Sequence, residues 1–233
     1  MPLQERQGYE TVFDDDVMTV LHIPGRKDEC IVSFTGVGHA LGGIDLQNPE
    51  FARSDSDETK IFIIDKQRSW GNNLDWRRVK NLVYNLAPSA QITTLGNSMG
   101  GFLAILSAPI LEASQAIAFA PQWSIDPATV PEENRWLEYR QKIEKIHYSD
   151  LSEAVRSQSK IYVFFGINGK LDEIHMNFFR QAKTEAFVLR NCGHDVAGYM
   201  KKNGLLYPVI SACREGGNVA ALLTKADISV VAD

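Results

Sequence analysis

The segment 93–106, TTLGNSMGGFLAIL, places Ser98 at the centre of a Gly-x-Ser-x-Gly pattern. An apolar run precedes the serine and a helix-like run follows it, which predicts a sharp turn from strand to helix. The backbone is crowded two residues to either side of such a turn, and Gly96 and Gly100 relieve that crowding. A serine exposed on this turn can attack a carbonyl carbon when a neighbouring base accepts its proton.

A helix that begins directly after Ser98 offers free backbone N–H groups and the positive end of its dipole. Such groups stabilise the oxyanion of a tetrahedral intermediate. We therefore expect the N–H of Met99 to be one oxyanion donor. The alternative is a polar turn with no catalytic role, because the pattern also occurs by chance.

The elements that must position this serine are short apolar runs, which alternate with helix-like segments. Several runs are apolar throughout, as is typical of strands buried on both faces of a parallel sheet. The runs are residues 17–23, 30–36, 60–65, 91–96, 116–121, 160–166 and 185–191. The sequence thus predicts an α/β fold, with a mostly parallel central sheet and helices on both faces.

Helical periodicity predicts helices over 74–87, 99–113, 131–146 and 172–182. The third of these lies in the only sizeable insertion between strands, at about residues 122–150. We therefore expect a single domain over residues 1–233 with a minimal lid.

The composition narrows the classes of partner. The 233 residues carry a formal net charge of −5, and Lys and Arg are interspersed with Asp and Glu. This pattern argues against nucleic-acid and anionic-membrane binding, so small molecules or proteins are the expected partners. The N-terminus lacks the features of a signal peptide and no apolar run approaches about 18 residues, which predicts a cytoplasmic protein. The sequence carries no signal for an oligomeric state.

The cysteines and histidines show no metal-ligand spacing. Three widely spaced cysteines form no CxxC pair and are expected to be reduced thiols. We expect no metal and no cofactor.

The segment LGNSMGG, residues 95–101, resembles the nucleophile elbow of the α/β-hydrolase superfamily of serine hydrolases. The similarity of layout extends from about residue 28 to about residue 200. The resemblance implies the α/β-hydrolase fold and the chain order nucleophile, acid, histidine. It leaves the substrate open, because this fold hosts esterases, lipases, peptidases, thioesterases, acyltransferases and nonenzymatic members.

The resemblance implies His194, in NCGHD after the run 185–191, as the catalytic base. It implies Asp172, after the run 160–166, as the acid that orients the base. Glu173 and Asp126 remain alternatives for the acid, and Asp172 could instead cap a helix. By the same resemblance, Val37 supplies the second oxyanion N–H, with Gly38 as the alternative.

Further residues are candidates for contact with substrate. Gly38 and His39 lie in the loop GVGHALGG, residues 36–43. Four other residues follow predicted strands at the carboxyl edge of the sheet, where ligands bind in open α/β folds. They are Ser69, Trp70, Asn72 and Trp123. The alternative for the aromatic residues is ordinary packing.

The loop 36–43 is also close to the dinucleotide fingerprint GxGxxG. Leu41 occupies the third glycine position, however, and residues 41–58 are a poor helix with paired glycines and an Asn-Pro step. The sequence therefore favours a serine hydrolase that cleaves a carboxylic ester or thioester of a small-molecule acyl substrate. An acyltransferase that uses the same acyl-enzyme and a noncatalytic binding module remain alternatives.

Overall fold

The computed structural model describes residues 8–41, 44–52, 57–227 and 229–230. The strands of these residues are β1 (Glu10–Asp14), β2 (Met18–Ile23), β3 (Arg26–Phe34), β4 (His39–Leu41), β5 (Ile44–Leu46), β6 (Glu58–Asp65), β7 (Gln91–Asn97), β8 (Gln115–Phe119), β9 (Lys160–Gly166), β10 (Glu185–Leu189) and β11 (Ser229–Val230). The helices are α1 (Trp76–Leu86), α2 (Met99–Ile110), α3 (Leu137–Arg140), α4 (Lys170–Gln181), α5 (Val196–Lys202), α6 (Leu206–Glu215) and α7 (Val219–Lys225).

Nine of the described strands form one sheet in the order β1-β2-β6-β3-β7-β8-β9-β10-β11, and β4 pairs with β5 separately. The six strands from β6 to β10 in this order are parallel to one another. The pairs β1–β2, β2–β6 and β10–β11 are antiparallel. The predicted mostly parallel sheet is confirmed.

Helices cover both faces of the sheet, and the strands explain why. In β9, Ile161, Val163 and Phe165 face a core that includes side chains of α1, α2 and α4. The intervening Tyr162 and Phe164 face a second core that includes side chains of α5, α6 and α7. A strand buried on both faces must be apolar at every position, so the continuous apolar runs follow from this layering.

The connection from β8 to β9 differs from the prediction. The helix expected over 131–146 is wrong: among these residues only α3, four residues long, is helical. Trp136, directly before α3, adopts a left-handed conformation with φ of 59°. The buried Arg140 side chain binds two backbone carbonyls, those of Glu133 and Ile125, instead of lying along an exposed helix. Tertiary contacts therefore override the helical pattern here.

None of the helices in the described ranges is both long and apolar enough to cross a membrane. Cys30, Cys192 and Cys213 are buried free thiols.

Candidate active site

Ser98 lies on the turn between β7 and α2, near the middle of the sheet. Its φ of 55° and ψ of −119° are rare for a residue with a side chain, and such a conformation costs about 1–3 kcal/mol. Hydrogen bonds hold the turn: Ser98 N–H donates to Phe119 O, and Phe102 N–H donates to Ser98 O. The surrounding structure thus maintains the strained conformation.

Two glycines make this turn sterically possible. A Cβ atom at Gly96 would lie 2.1 Å from the carbonyl oxygen of Gly100. A Cβ atom at Gly100 would lie 2.3 Å from the carbonyl oxygen of Phe34. Both clashes are with backbone, which cannot move aside as a flexible side chain could. The glycines relieve the crowding that the sequence pattern predicts.

The structure brings together three residues that are far apart in the chain. Nε2 of His194 lies 3.0 Å from Oγ of Ser98. Nδ1 of His194 lies 2.8 Å from Oδ2 of Asp172. A carboxylate only accepts, so Nδ1 carries the proton and Nε2 is free to accept the proton of the serine hydroxyl. This arrangement can deprotonate Ser98 as it attacks an electrophile.

Of the three candidate acids, Asp172 is the one in contact with His194. Glu173 has an exposed side chain, and Oδ1 of Asp126 accepts the N–H of Ala128. Helix α4 begins at Lys170, two residues before the predicted start, so Asp172 lies in its first turn.

Burial raises the pKa of Asp172, but the hydrogen bond from His194 and the charge of Arg135 outweigh burial and hold this pKa below its ordinary value. Asp172 is therefore a carboxylate at neutral pH.

The two expected oxyanion donors are the backbone N–H groups of Met99 and Val37. Met99 is the first residue of α2, and Val37 lies in the loop after β3. Within the described ranges neither N–H has a hydrogen-bond acceptor. The preceding N–H, that of Gly36, instead donates to Oε1 of Glu50, a carboxyl group whose pKa is raised to about 7, mainly by burial. The two N–H groups are thus available to a ligand.

The prediction that Ser69 and Trp70 line the substrate pocket is wrong, because neither has any exposed surface. Asp65, buried at the end of β6, accepts the N–H and the hydroxyl of Ser69 and the N–H of Gly71, so the loop curls inward. Trp70 Nε1–H donates to Oε1 of Gln122 inside the protein.

Asn72, another expected pocket residue, is also nearly buried. Its Oδ1 accepts the N–H groups of His147 and Tyr148, so it fixes the connection from β8 to β9 and does not line a cleft.

The other expected substrate contacts remain predictions. Trp123 is 8% exposed and its ring stacks on that of Phe178, with ring centroids 5.5 Å apart. This contact agrees with the alternative that Trp123 serves ordinary packing. Gly38 is half-buried with φ of 89°, a conformation that favours glycine. The side chain of His39 lies outside the described part of the chain.

Sequence reasoning missed a set of charged residues behind Asp172. Nη1 of Arg135 donates to Oδ1 of Asp172 at 2.8 Å, and the rest of this guanidinium binds Glu133. Oε2 of Glu133 also lies 2.8 Å from Nε2 of His175. One signal was available, since Asp172 and His175 are three residues apart and so share a face of α4.

The charges of this set are mutually compensated. Burial raises the pKa of Glu133, but the bonds from His175 and Arg135 outweigh burial and hold the pKa far below its ordinary value. Burial lowers the pKa of Arg135, but Glu133 and Asp172 outweigh burial and raise it. One cation therefore bridges two carboxylates.

We expect Glu133→Gln to make the stability of the protein less dependent on pH in acid. The folded-state pKa of Glu133 lies below the ordinary 4.5, so its ionisation stabilises the fold fully above pH 4.5. That contribution is lost as the pH falls towards the folded-state value. At pH 7 the variant should be less stable by up to about 3 kcal/mol, because Arg135 loses one carboxylate. Urea unfolding of both proteins from pH 7 to pH 3 measures this. A difference in unfolding free energy between variant and wild type that does not narrow below pH 4.5 would contradict the prediction.

No family model matches the sequence, and no curated protein matches it. Solved structures do match. The capsule O-acetyltransferase of Neisseria meningitidis serogroup A superposes with a TM-score of 0.65 and 15% sequence identity, over 84% of this chain and 93% of that chain. A serine hydrolase without a lid from Xanthomonas campestris superposes with a TM-score of 0.56 and 14% sequence identity, over 93% of this chain and 94% of that chain. The acetyl xylan esterase from Paenibacillus sp. R4 superposes with a TM-score of 0.56 and 12% sequence identity, over 83% of this chain and 85% of that chain.

Each of these structures matches more than four fifths of this chain. At such low identity the likeness concerns the fold. The chain has the α/β-hydrolase fold.

Proposed function

We propose that the protein is a serine hydrolase that cleaves a carboxylic ester or thioester of a small molecule through an acyl-enzyme on Ser98. One observation carries the proposal: an unbroken hydrogen-bond chain joins Ser98 Oγ to His194 at 3.0 Å and His194 to Asp172 at 2.8 Å. The strained turn under Ser98 supports it, because such strain concentrates at functional sites.

In the first half of the reaction, Ser98 Oγ attacks the carbonyl carbon and Nε2 of His194 takes its proton. The carbonyl oxygen becomes an oxyanion, which the N–H groups of Met99 and Val37 stabilise. The tetrahedral intermediate then collapses: the bond to the alcohol or thiol breaks, and His194 returns the proton to this leaving group. The acyl group remains on Ser98 as an ester.

In the second half, water attacks the acyl carbon while Nε2 of His194 takes a proton from it. Collapse releases the carboxylic acid, and the proton passes to Ser98 Oγ. Asp172 keeps Nδ1 protonated throughout and stabilises the imidazolium that forms in both halves. An alcohol in place of water would give acyl transfer by the same steps.

The test is labelling of the folded protein with a fluorophosphonate at neutral pH, with peptide mass spectrometry to locate the adduct. We expect one adduct, on Ser98, and none on heat-denatured protein, because an isolated serine hydroxyl is a weak nucleophile. The absence of an adduct on the folded protein would overturn the proposal. Product analysis of an activated ester with added alcohols then distinguishes hydrolysis from acyl transfer.

A further inference from the structure

The carboxylate of Asp172 has two hydrogen-bond partners among the described residues. Oδ2 binds His194, and Oδ1 accepts from Nη1 of Arg135 at 2.8 Å. The side chain of Asp172 is 3% exposed, so water has little access to Oδ1. A buried carboxylate needs a donor on each oxygen, and Arg135 is the donor that fixes the rotation of this carboxylate.

Arg135 is itself held in place. Its Nε lies 3.0 and 3.1 Å from the two carboxylate oxygens of Glu133 and donates to both. Its backbone N–H donates to Oε1 of Glu133 at 2.8 Å. Glu133 is almost fully buried. Nε and Nη2 are therefore bound to Glu133, and Nη1 is directed at Asp172.

Glu133 is anchored in turn to α4. The backbone N–H of Trp123 donates to Nδ1 of His175 at 3.0 Å, so the proton of this ring is on Nε2. Nε2–H then donates to Oε2 of Glu133 at 2.8 Å. Asp172 and His175 lie one turn apart on α4. The contacts of Arg135 with Asp172 and of Glu133 with His175 therefore fix the connection between β8 and β9 against this helix.

We propose that Arg135, held by Glu133, is a positioning residue of the triad. It keeps Oδ2 of Asp172 directed at His194, and it limits how strongly the site stabilises the imidazolium. The inference rests on the proposed function, in which His194 is the base.

The second role follows from charge. Nη1 of Arg135 lies 3.2 Å from Nδ1 of His194, but both atoms carry protons, so the contact is not a hydrogen bond between them. A cation beside the ring disfavours a second cation on it. Titratable groups near the ring are Asp172 and Arg135, with Glu133 and His175 behind them and the exposed Asp195 next in the chain.

A role in binding an anionic substrate fits Arg135 less well. Each nitrogen of the guanidinium already donates to a carboxylate, and its charge lies between two of them. An anion near the guanidinium would also lie near the carboxylates of Glu133 and Asp172, which are buried and repel it.

The experiment compares three variants with the wild type: Arg135→Met, Arg135→Lys, and the double variant Glu133→Gln/Arg135→Met, which leaves no unpaired carboxylate at position 133. For an uncharged and an anionic activated ester, kcat and KM are to be measured from pH 5 to 9. Loss of positioning should lower kcat by about tenfold to a hundredfold with KM within about twofold. The acid limb of the profile should move to higher pH in both variants that carry Met at position 135, and less in Arg135→Lys.

A second measurement does not need turnover. In the wild type, the Nδ1–H proton of His194, held by Asp172, should give a slowly exchanging, downfield NMR signal. This signal should weaken or move upfield in Arg135→Met. Thermal unfolding of the same variant shows whether the variant is folded.

An unchanged kcat, pH profile and NMR signal in folded Arg135→Met would overturn the inference. A higher KM for anionic esters alone would also overturn it and assign Arg135 to substrate binding. A wild type with the NMR signal but with no labelling and no turnover would overturn the proposed function instead.

Discussion

Ser98→Ala should lower kcat for an activated ester by about 10⁶-fold, to a rate set by whatever binding and oxyanion stabilisation remain. The reason is that Oγ of Ser98 is the proposed nucleophile, and it is the atom that His194 Nε2 contacts at 3.0 Å. Fluorophosphonate labelling should disappear together with turnover.

The fold should survive this substitution for two reasons. Alanine has a Cβ atom as serine does, so the backbone strain at φ of 55° is unchanged. The hydrogen bond lost with the hydroxyl is the one to His194. Ser107→Ala, in the helix α2 that follows Ser98, is a matched control: its buried hydroxyl donates to the carbonyl of Ala104, away from His194. This control should keep wild-type kcat. Substantial turnover by Ser98→Ala, in protein free of wild type, would refute the nucleophile assignment.

Asp172→Asn should lower kcat by about 10⁴-fold, for a reason that is specific to this site. Arg135 can only donate, so the amide oxygen must face Nη1 of Arg135 and the amide NH₂ must face His194. Nδ1 of His194 then becomes an acceptor and the proton moves to Nε2. In that tautomer His194 cannot take the proton of Ser98.

Asp126→Asn is the matched comparison, since Asp126 was an alternative candidate for the acid. Its Oδ1 accepts the N–H of Ala128, and an amide oxygen can do the same. We expect kcat within about threefold of wild type, because this change leaves the contacts of His194 intact. Steady-state kinetics of the two variants measures the difference, and the reverse order of effects would refute the assignment of Asp172.

The strands were predictable because burial on both faces leaves a signal in each residue. In β8, Ala116 and Ala118 face one core, while Ile117 and Phe119 face the other, so the run is apolar throughout. The turn at Ser98 was predictable for a local reason as well. Its steric demands fall on residues two positions away, where only glycine avoids the backbone.

The charged residues behind Asp172 were not predictable in this way. Arg135 is 37 positions from Asp172, and nothing in the local pattern distinguishes it from a residue on an exposed helix. The same limit explains Trp70: an aromatic residue after a strand is equally consistent with a pocket wall and with a buried loop. The hydrogen bonds of the buried Asp65 decide between the two.

The contacts at the site also bear on the stage of folding at which the proposed activity would arise. The pairs that align Ser98, His194, Asp172 and Arg135 are separated by 96, 22 and 37 positions in the chain. Contacts of such long range require the loops between them to be closed at an entropic cost. A chain with its sheet assembled but without the connection carrying Arg135 docked on α4 would hold a nucleophile and a base but no oriented acid. Under the proposed function, we therefore expect full reactivity of Ser98 only once this connection is docked on α4.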